Sequence, residues 1–138
     1  MSLRVKTLSA IHRGIYGASG GRVGRRIAGM PVLLLTTVGR RTGRRRTVPL
    51  TYFEDGGEVV LVASYGGRPH NPAWFDNLLA NPDVEVTIGR ERRIMRARRA
   101  TSEERARLWP LVVETYDGYA AYQAKTTREI PLALLVTN

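Results

Sequence analysis

The chain has 138 residues, 43% hydrophobic and 25% charged, with no cysteine and a formal charge of +10 from 22 Lys plus Arg against 12 Asp plus Glu. That length predicts one domain burying about two thirds of its unfolded surface, with no need of a disulfide or structural metal; zero cysteines exclude thiolate nucleophiles, Cys-ligated zinc and iron–sulfur clusters. No apolar run approaches the roughly 18 residues of a membrane span and no secretory signal pattern opens the chain, so the default is a soluble cytoplasmic protein.

The positive charge is concentrated. Residues 1–30 hold six basic and no acidic side chains, 39–49 five and none, and 90–99 six and one; all but two of the basic residues are arginine. Arginine grips phosphate and carboxylate through paired hydrogen bonds, so an anionic partner is expected: nucleic acid, an anionic membrane or a phosphorylated small molecule.

Taken in chain order, Leu3, Leu8, Ile11 and Ile15 with Arg4, Lys6 and Arg13 between them give a weak amphipathic helix over 3–16, and Gly17–Gly24 a flexible connector. Residues 1–29 thus read as a basic arm and 30–138 as the body. Val32–Val38 is a buried-strand run, residues 39–45 a turn, and Thr47–Phe53 a second strand. Asp55-Gly56-Gly57 signals a tight hairpin into a third strand, Glu58–Ser64, completing an antiparallel meander. Tyr65–His70 is loop; Asn71-Pro72 reads as an N-cap with proline in the first turn of a short helix ending at Asn81-Pro82. Val84–Ile88 and Arg92–Ala100 are strands about a Gly89-Arg90 turn. Thr101 and Glu104 form a capping box for a helix carrying Leu108, Trp109, Leu111 and Val112. A further helical piece holds Tyr116, Tyr119 and Tyr122, and residues 130–136 are the last strand. Six antiparallel strands with few helices favour a small, mainly β (α+β) barrel over a doubly wound sheet.

Three segments could carry chemistry. The glycine-bracketed turn with Arg40, Arg41, Thr42, Gly43, Arg44, Arg45 and Arg46 offers guanidinium groups, amides and a hydroxyl to phosphate or carboxylate; it is neither a Walker loop nor a Rossmann fingerprint. Its bland reading is a solvated hairpin, but five positive charges within eight residues repel one another unless an anion visits. In Ser64–Trp74, adjacent glycines let a ligand approach the backbone just before a helix N-terminus; Trp74 is equally well a core residue. The tyrosines, spaced by three, line one helix face and serve either packing or hydrogen bonding and proton donation to a substrate. His12 and His70 are the only histidines, and neither a metal site nor a Ser/His/Asp set emerges. Any redox or transfer reaction therefore belongs to a cofactor.

The ordered series Met30–Gly43, Asp55-Gly56-Gly57, Ser64 with Gly66-Gly67, Asn71-Pro72 with Trp74, Asn77-Leu78, Asn81-Pro82, Trp109-Pro110 and the three tyrosines resembles the deazaflavin-dependent nitroreductase family over about residues 30–136. The resemblance implies a six-stranded split β-barrel with a few flanking helices. It also implies coenzyme F420, an 8-hydroxy-5-deazaflavin with a polyglutamate tail, and hydride transfer from its C5 to a quinone, enone or nitroaromatic acceptor, with no metal. Such proteins are typical of actinobacteria, which suits the arginine-rich composition. Carried over by position, Arg40, Arg41, Thr42, Gly43 and Arg46 hold the phosphate and glutamate tail. Pro49 lies beside the deazaflavin, Ser64, Tyr65, Gly66 and Gly67 meet ring and ribityl chain, and Asn71, Trp74 and Asn77 close that side. Tyr116, Tyr119 and Tyr122, faced by Ser64, form the acceptor pocket and supply the proton. Tyr65 stands where the best-known member has a lysine, and Arg41 also replaces a lysine. The competing readings are a flavin mononucleotide reductase or oxidase of the same barrel superfamily, a deazaflavin carrier without turnover, and a basic nucleic-acid module, against which stands the lack of interleaved aromatics or a known motif. Residues 1–30 could touch an anionic membrane, and barrels with open sheet edges often form homodimers.

Overall fold

Residues 26–27 and 30–137 are described by the computed structural model. The helix expected at 3–16 and the glycine-rich connector lie outside them. A short strand, β1 (Arg26–Ile27), pairs with the start of β2 (Met30–Val38), whose branched and long apolar residues alternate between buried and half-buried. The turn at Gly39–Arg44 reverses the chain into β3 (Arg45–Thr51). It closes through Gly39 N–H to the Arg44 carbonyl at 2.7 Å and Gly43 N–H to the Gly39 carbonyl at 2.9 Å.

The second predicted strand does not run on to residue 53 as one piece. It breaks at Tyr52, whose N–H donates to the Pro31 carbonyl at 3.2 Å, and β4 (Phe53–Asp55) joins β5 (Glu58–Val62) instead. The three-strand meander is therefore two separate hairpins. The alternation of side chains continues through the break, Tyr52 into one core and Phe53 into the other, so the pattern in the sequence could not show where the chain changes partners. The β4–β5 turn is the expected one, with Gly56 and Gly57 at φ 58° and 86°, the backbone a type I′ hairpin needs.

A loop then leads to α1 (Ala73–Ala80), β6 (Asp83–Ile88), β7 (Glu91–Arg99), α2 (Ser102–Thr115), α3 (Gly118–Ala124) and β8 (Leu132–Thr137). The sheet has eight strands among the described residues, not six, because β1 adds one and the split at Tyr52 another. Its order is β1-β2-β6-β7-β8-β5-β4 with β3 on the other side of β2, and all its pairings are antiparallel. It curls into a half-barrel, the split barrel expected; among the described residues β3 pairs with β2 alone and β4 with β5 alone.

Each face of the sheet has its own core. Leu33, Leu35, Val59, Leu61, Met95, Ala133 and Leu135 pack beneath Trp74, Phe75 and Leu78 of α1. Val60, Val62, Leu132 and Leu134 pack beneath Leu108 and Val112 of α2 and Tyr119 of α3. Strands β5 and β8 are thus covered on both sides, which is why they read as unbroken apolar runs. The capping box is present: the Glu104 N–H donates to the Thr101 hydroxyl at 3.2 Å and the Thr101 N–H to the Glu104 carboxylate at 2.8 Å.

Candidate active site

The Arg40–Arg46 turn is tied to α1. Asn77, 3% exposed, accepts from the Arg40 N–H at 3.1 Å and from Arg40 Nη1 at 3.0 Å, while its amide donates to the Thr37 hydroxyl at 3.5 Å. Arg40 also lies 3.9 Å from Asp76. Arg40 and Asn77 therefore serve one another, and the cations left facing solvent are Arg41, Arg44 and Arg46, with no carboxylate partner among the described residues. Gly39 has a steric reason: a Cβ there would stand 2.7 Å from the Thr42 hydroxyl, which itself accepts from the Arg44 N–H at 3.2 Å.

The equally basic segment 90–99 is different. Arg92 pairs with Glu85 at 2.8 Å, Arg96 with Asp83 at 3.1 Å, Arg93 with Glu91, and Arg98 grips both oxygens of Glu104 at 2.7 Å. The Arg98 hydrogen bonds and the Thr101 amide pull the Glu104 carboxyl down to about 2; hydrogen bonding to Arg92, then to Arg45, lowers that of Glu85. Asp83 and Glu85 of β6, Glu91 on β7 itself and Glu104 at the start of α2 thus neutralise most of β7, while three cations without such a partner among the described residues, Arg41, Arg44 and Arg46, gather at the turn.

The second segment begins at Ser64, wholly buried, whose hydroxyl has no hydrogen-bond partner among the described residues. Such a group costs about 1–3 kcal/mol unless a ligand or water meets it. Tyr65, Gly66 and Gly67 follow with φ of 48°, 64° and 82°, a conformation a tyrosine adopts at a cost of order 1 kcal/mol. The two glycines have different roles. A Cβ on Gly66 would meet nothing within 4 Å, whereas one on Gly67 would stand 2.7 Å from the Tyr122 carbonyl of α3. Gly66 leaves open space for a ligand; Gly67 seats the loop on α3. Tyr65 is occupied by Arg68, which donates to its hydroxyl at 3.0 Å and lies 4.5 Å above its ring.

Asn71 does not cap α1. Pro72 is the capping residue, its carbonyl accepting from Phe75 at 3.1 Å, because the Asn71 oxygen is taken by Arg128 at 2.7 Å. Trp74 is 7% exposed and belongs to the core under α1.

The tyrosines do not share one helix, since Tyr116 caps the C-terminus of α2 while Tyr119 and Tyr122 lie on α3. Their rings nevertheless stack edge to face in series, 5.3 and 5.9 Å apart. Gly118 permits this: a Cβ there would fall 2.3 Å from the Tyr116 ring. Tyr119 is wholly buried, its hydroxyl 3.5 Å from that of Thr51 at the end of β3. Tyr122 is half-buried, and burial, with its hydrogen bond to Tyr116, raises its pKa above the ordinary phenol value.

These contacts bring the pieces together. Thr51 places β3 beside Tyr119, Gly67 places the Ser64 loop against Tyr122, and Pro49, two residues before Thr51, shares its face of the strand. Asn77 and Trp74 support this arrangement from the opposite face of the sheet. Sequence pattern gives no sign of Thr51 or Arg128, because neither stands in a run or spacing that separates an inward polar side chain from an outward one.

A curled antiparallel half-barrel with three arginines lacking carboxylate partners among the described residues, a buried hydroxyl and a phenol cluster has the chemistry to suit an anionic small-molecule ligand. The family model described as F420H2-dependent quinone reductase matches residues 8–137. An F420H2-dependent quinone reductase of Mycobacterium tuberculosis is 43% identical over 132 residues, covering 93% of this chain and 89% of that protein. The solved structure of an F420-H2 dependent reductase, FDR-A, superposes with a TM-score of 0.68 at 43% identity, covering 76% of this chain and 93% of the other. A second structure, described as a domain-swapped dimer, gives 0.71 at 38% identity, covering 91% and 94%. The chain belongs to the F420H2-dependent quinone reductase family.

Proposed function

We propose that this protein binds reduced F420 along the turn, the Ser64 loop and the tyrosines, and uses it to reduce a quinone. The observation that carries this reading is the buried, unpartnered Ser64 hydroxyl on a loop whose Gly66 opens to free space. The remaining donors fit a coenzyme with a phosphate and a carboxylate tail: Arg41, Arg44, Arg46 and the Thr42 hydroxyl for the anionic groups, Pro49 and the tyrosine rings for the flat ring system. F420, when bound, supplies a hydride from C5 of its deazaflavin.

The residues of the chain do the rest. Arg40 and Asn77 hold the turn in place, and Ser64 satisfies its hydroxyl on the ligand. Tyr116 and Tyr122 wall the acceptor space and exclude water, and Tyr122, with its raised pKa, keeps a proton to donate at neutral pH. Tyr119 supports the two rings from the core. An enone or nitroaromatic acceptor would use the same space.

Titration with oxidised F420, followed by anaerobic turnover of reduced F420 against menadione and a nitroimidazole, tests the reading. Fluorescence quenching with menadione turnover is expected; a protein yellow as isolated, active with flavin mononucleotide and indifferent to F420, overturns it. The structure described as a domain-swapped dimer supports a homodimer, which light scattering checks. Residence in the cytoplasm fits that, among the described residues, no helix is long and apolar enough to cross a membrane. Membrane contact by residues 1–30 rests on their charge alone. Failure to co-sediment with anionic vesicles removes it.

A further inference from the structure

The segment before β8 sends Arg128 back under the Ser64 loop, where its guanidinium makes five hydrogen-bond contacts. Nε donates to the Arg68 carbonyl at 2.9 Å, Nη1 to the Asn71 Oδ1 at 2.7 Å and the Ala63 carbonyl at 3.3 Å, and Nη2 to the Ser64 carbonyl at 2.9 Å and the Ala63 carbonyl at 3.3 Å. The acceptors span residues 63 to 71, both ends of the loop, and all are neutral. Among the described residues no carboxylate reaches Arg128, since the adjacent Glu129 turns to Arg105 at 3.7 Å. Burial accordingly lowers its pKa from the usual guanidinium value.

A half-buried cation with only carbonyl and amide oxygens around it is unusual, and the loop it holds explains it. Three successive residues at positive φ, one of them a tyrosine, persist only where the surroundings over-determine them. The guanidinium is a rigid planar fork that can fix several carbonyls at once, which a lysine's point charge cannot.

We propose that Arg128, acting with Asn71, is the positioning residue of the coenzyme wall: its fork sets the Ala63–Asn71 loop in the shape that presents the Ser64 hydroxyl and Gly66 to the ligand. Asn71 then acts through Arg128 and makes no contact of its own with the coenzyme. This inference rests on the F420 reading above, and the test separates the two.

Arg128→Lys, Asn71→Ala and the double variant are compared with wild type by oxidised-F420 titration, thermal melting, limited proteolysis within 63–71, and apparent KM for reduced F420 and for menadione. In Arg128→Lys the F420 Kd is expected to rise about tenfold, as for loss of one or two hydrogen bonds, with faster cleavage in the loop and an unchanged menadione KM. Asn71→Ala should weaken F420 less, and the double variant no more than Arg128→Lys alone. An F420 Kd within about twofold of wild type in Arg128→Lys, or single effects that multiply in the double variant, overturns the proposal. Should Arg128→Lys fail to fold, Asn71→Ala decides: cleavage and Kd must rise together, and a rise in Kd with unchanged cleavage makes Asn71 a direct ligand and overturns it. Should wild type not bind F420 at all, the coenzyme reading falls, while the cleavage rates still decide whether Arg128 sets the loop.

Discussion

Tyr119 shows how burial divides roles within one cluster. It has the central ring of the three and no exposure, and its hydroxyl lies a long 3.5 Å from that of Thr51. Tyr119→Phe is therefore expected to cost about 1 kcal/mol of stability and to leave menadione turnover within a factor of two or three. Tyr122→Phe should lower turnover with little effect on F420 affinity. Because the Tyr122 pKa is raised, its phenol stays protonated through neutral pH, and a donor role predicts no alkaline loss of rate until pH exceeds about 10; a falling limb near neutrality would remove it as the donor. Arg46→Gln, at a cation with no carboxylate partner, is expected to raise the F420 Kd about tenfold. At this scale the glycine brackets mark the turn, while the tyrosine spacing marks a cluster that the chain builds from two helices rather than from one helix face. The sequence could not separate Arg40 from Arg46, because only the fold aims one at Asn77 and leaves the other free.

Among the elements, features that depend only on neighbours in the chain are the legible ones: Asp55-Gly56-Gly57 turns and Thr101 with Glu104 caps α2 as expected, whereas the cap expected at Asn71 is lost to Arg128, distant in sequence. The break at Tyr52 is not legible either, because it depends on which strands lie beside it. The link from Arg40 to Asn77 joins the turn to α1, so Asn77→Ala, stripping one acceptor from two donors, should destabilise by about 1–3 kcal/mol and raise the F420 KM while sparing the menadione KM. The α2 cap carries a pH signature. Glu104 titrates at about 2 in the fold against 4.5 unfolded, so its contribution is complete above pH 4.5 and lost as pH falls toward 2. Partly exposed, the Arg98–Glu104 pair is worth about 1 kcal/mol. Glu104→Gln should melt a few degrees below wild type at pH 6 and together with it at pH 2.

For the whole molecule, net charge alone misleads. The +10 of the sequence is the balance of +16 in three basic segments and −6 elsewhere, yet β7 answers most of its arginines with Asp83, Glu85, Glu91 and Glu104. Among the described residues the turn gathers three cations without a carboxylate partner, Arg41, Arg44 and Arg46, and exposed charges are screened beyond about 8 Å at physiological salt. F420 binding should therefore weaken several-fold between low and high salt, and Arg46→Gln should flatten that dependence.

The turn leads directly into β3, which among the described residues is paired on one side only. A free strand edge invites another chain to add to it, and natural proteins guard such edges with charge and proline. Strand β3 carries Arg45, Arg46 and Pro49, and β4 is only three residues long with Glu54 and Asp55. Arg46 and Pro49, proposed above as coenzyme contacts, thus also stand where charge and proline disfavour edge-to-edge pairing. On that proposal a change at Arg46 alters coenzyme affinity and solubility together, and concentrated Arg45→Gln/Arg46→Gln protein should aggregate sooner than wild type even where its melting temperature is unchanged.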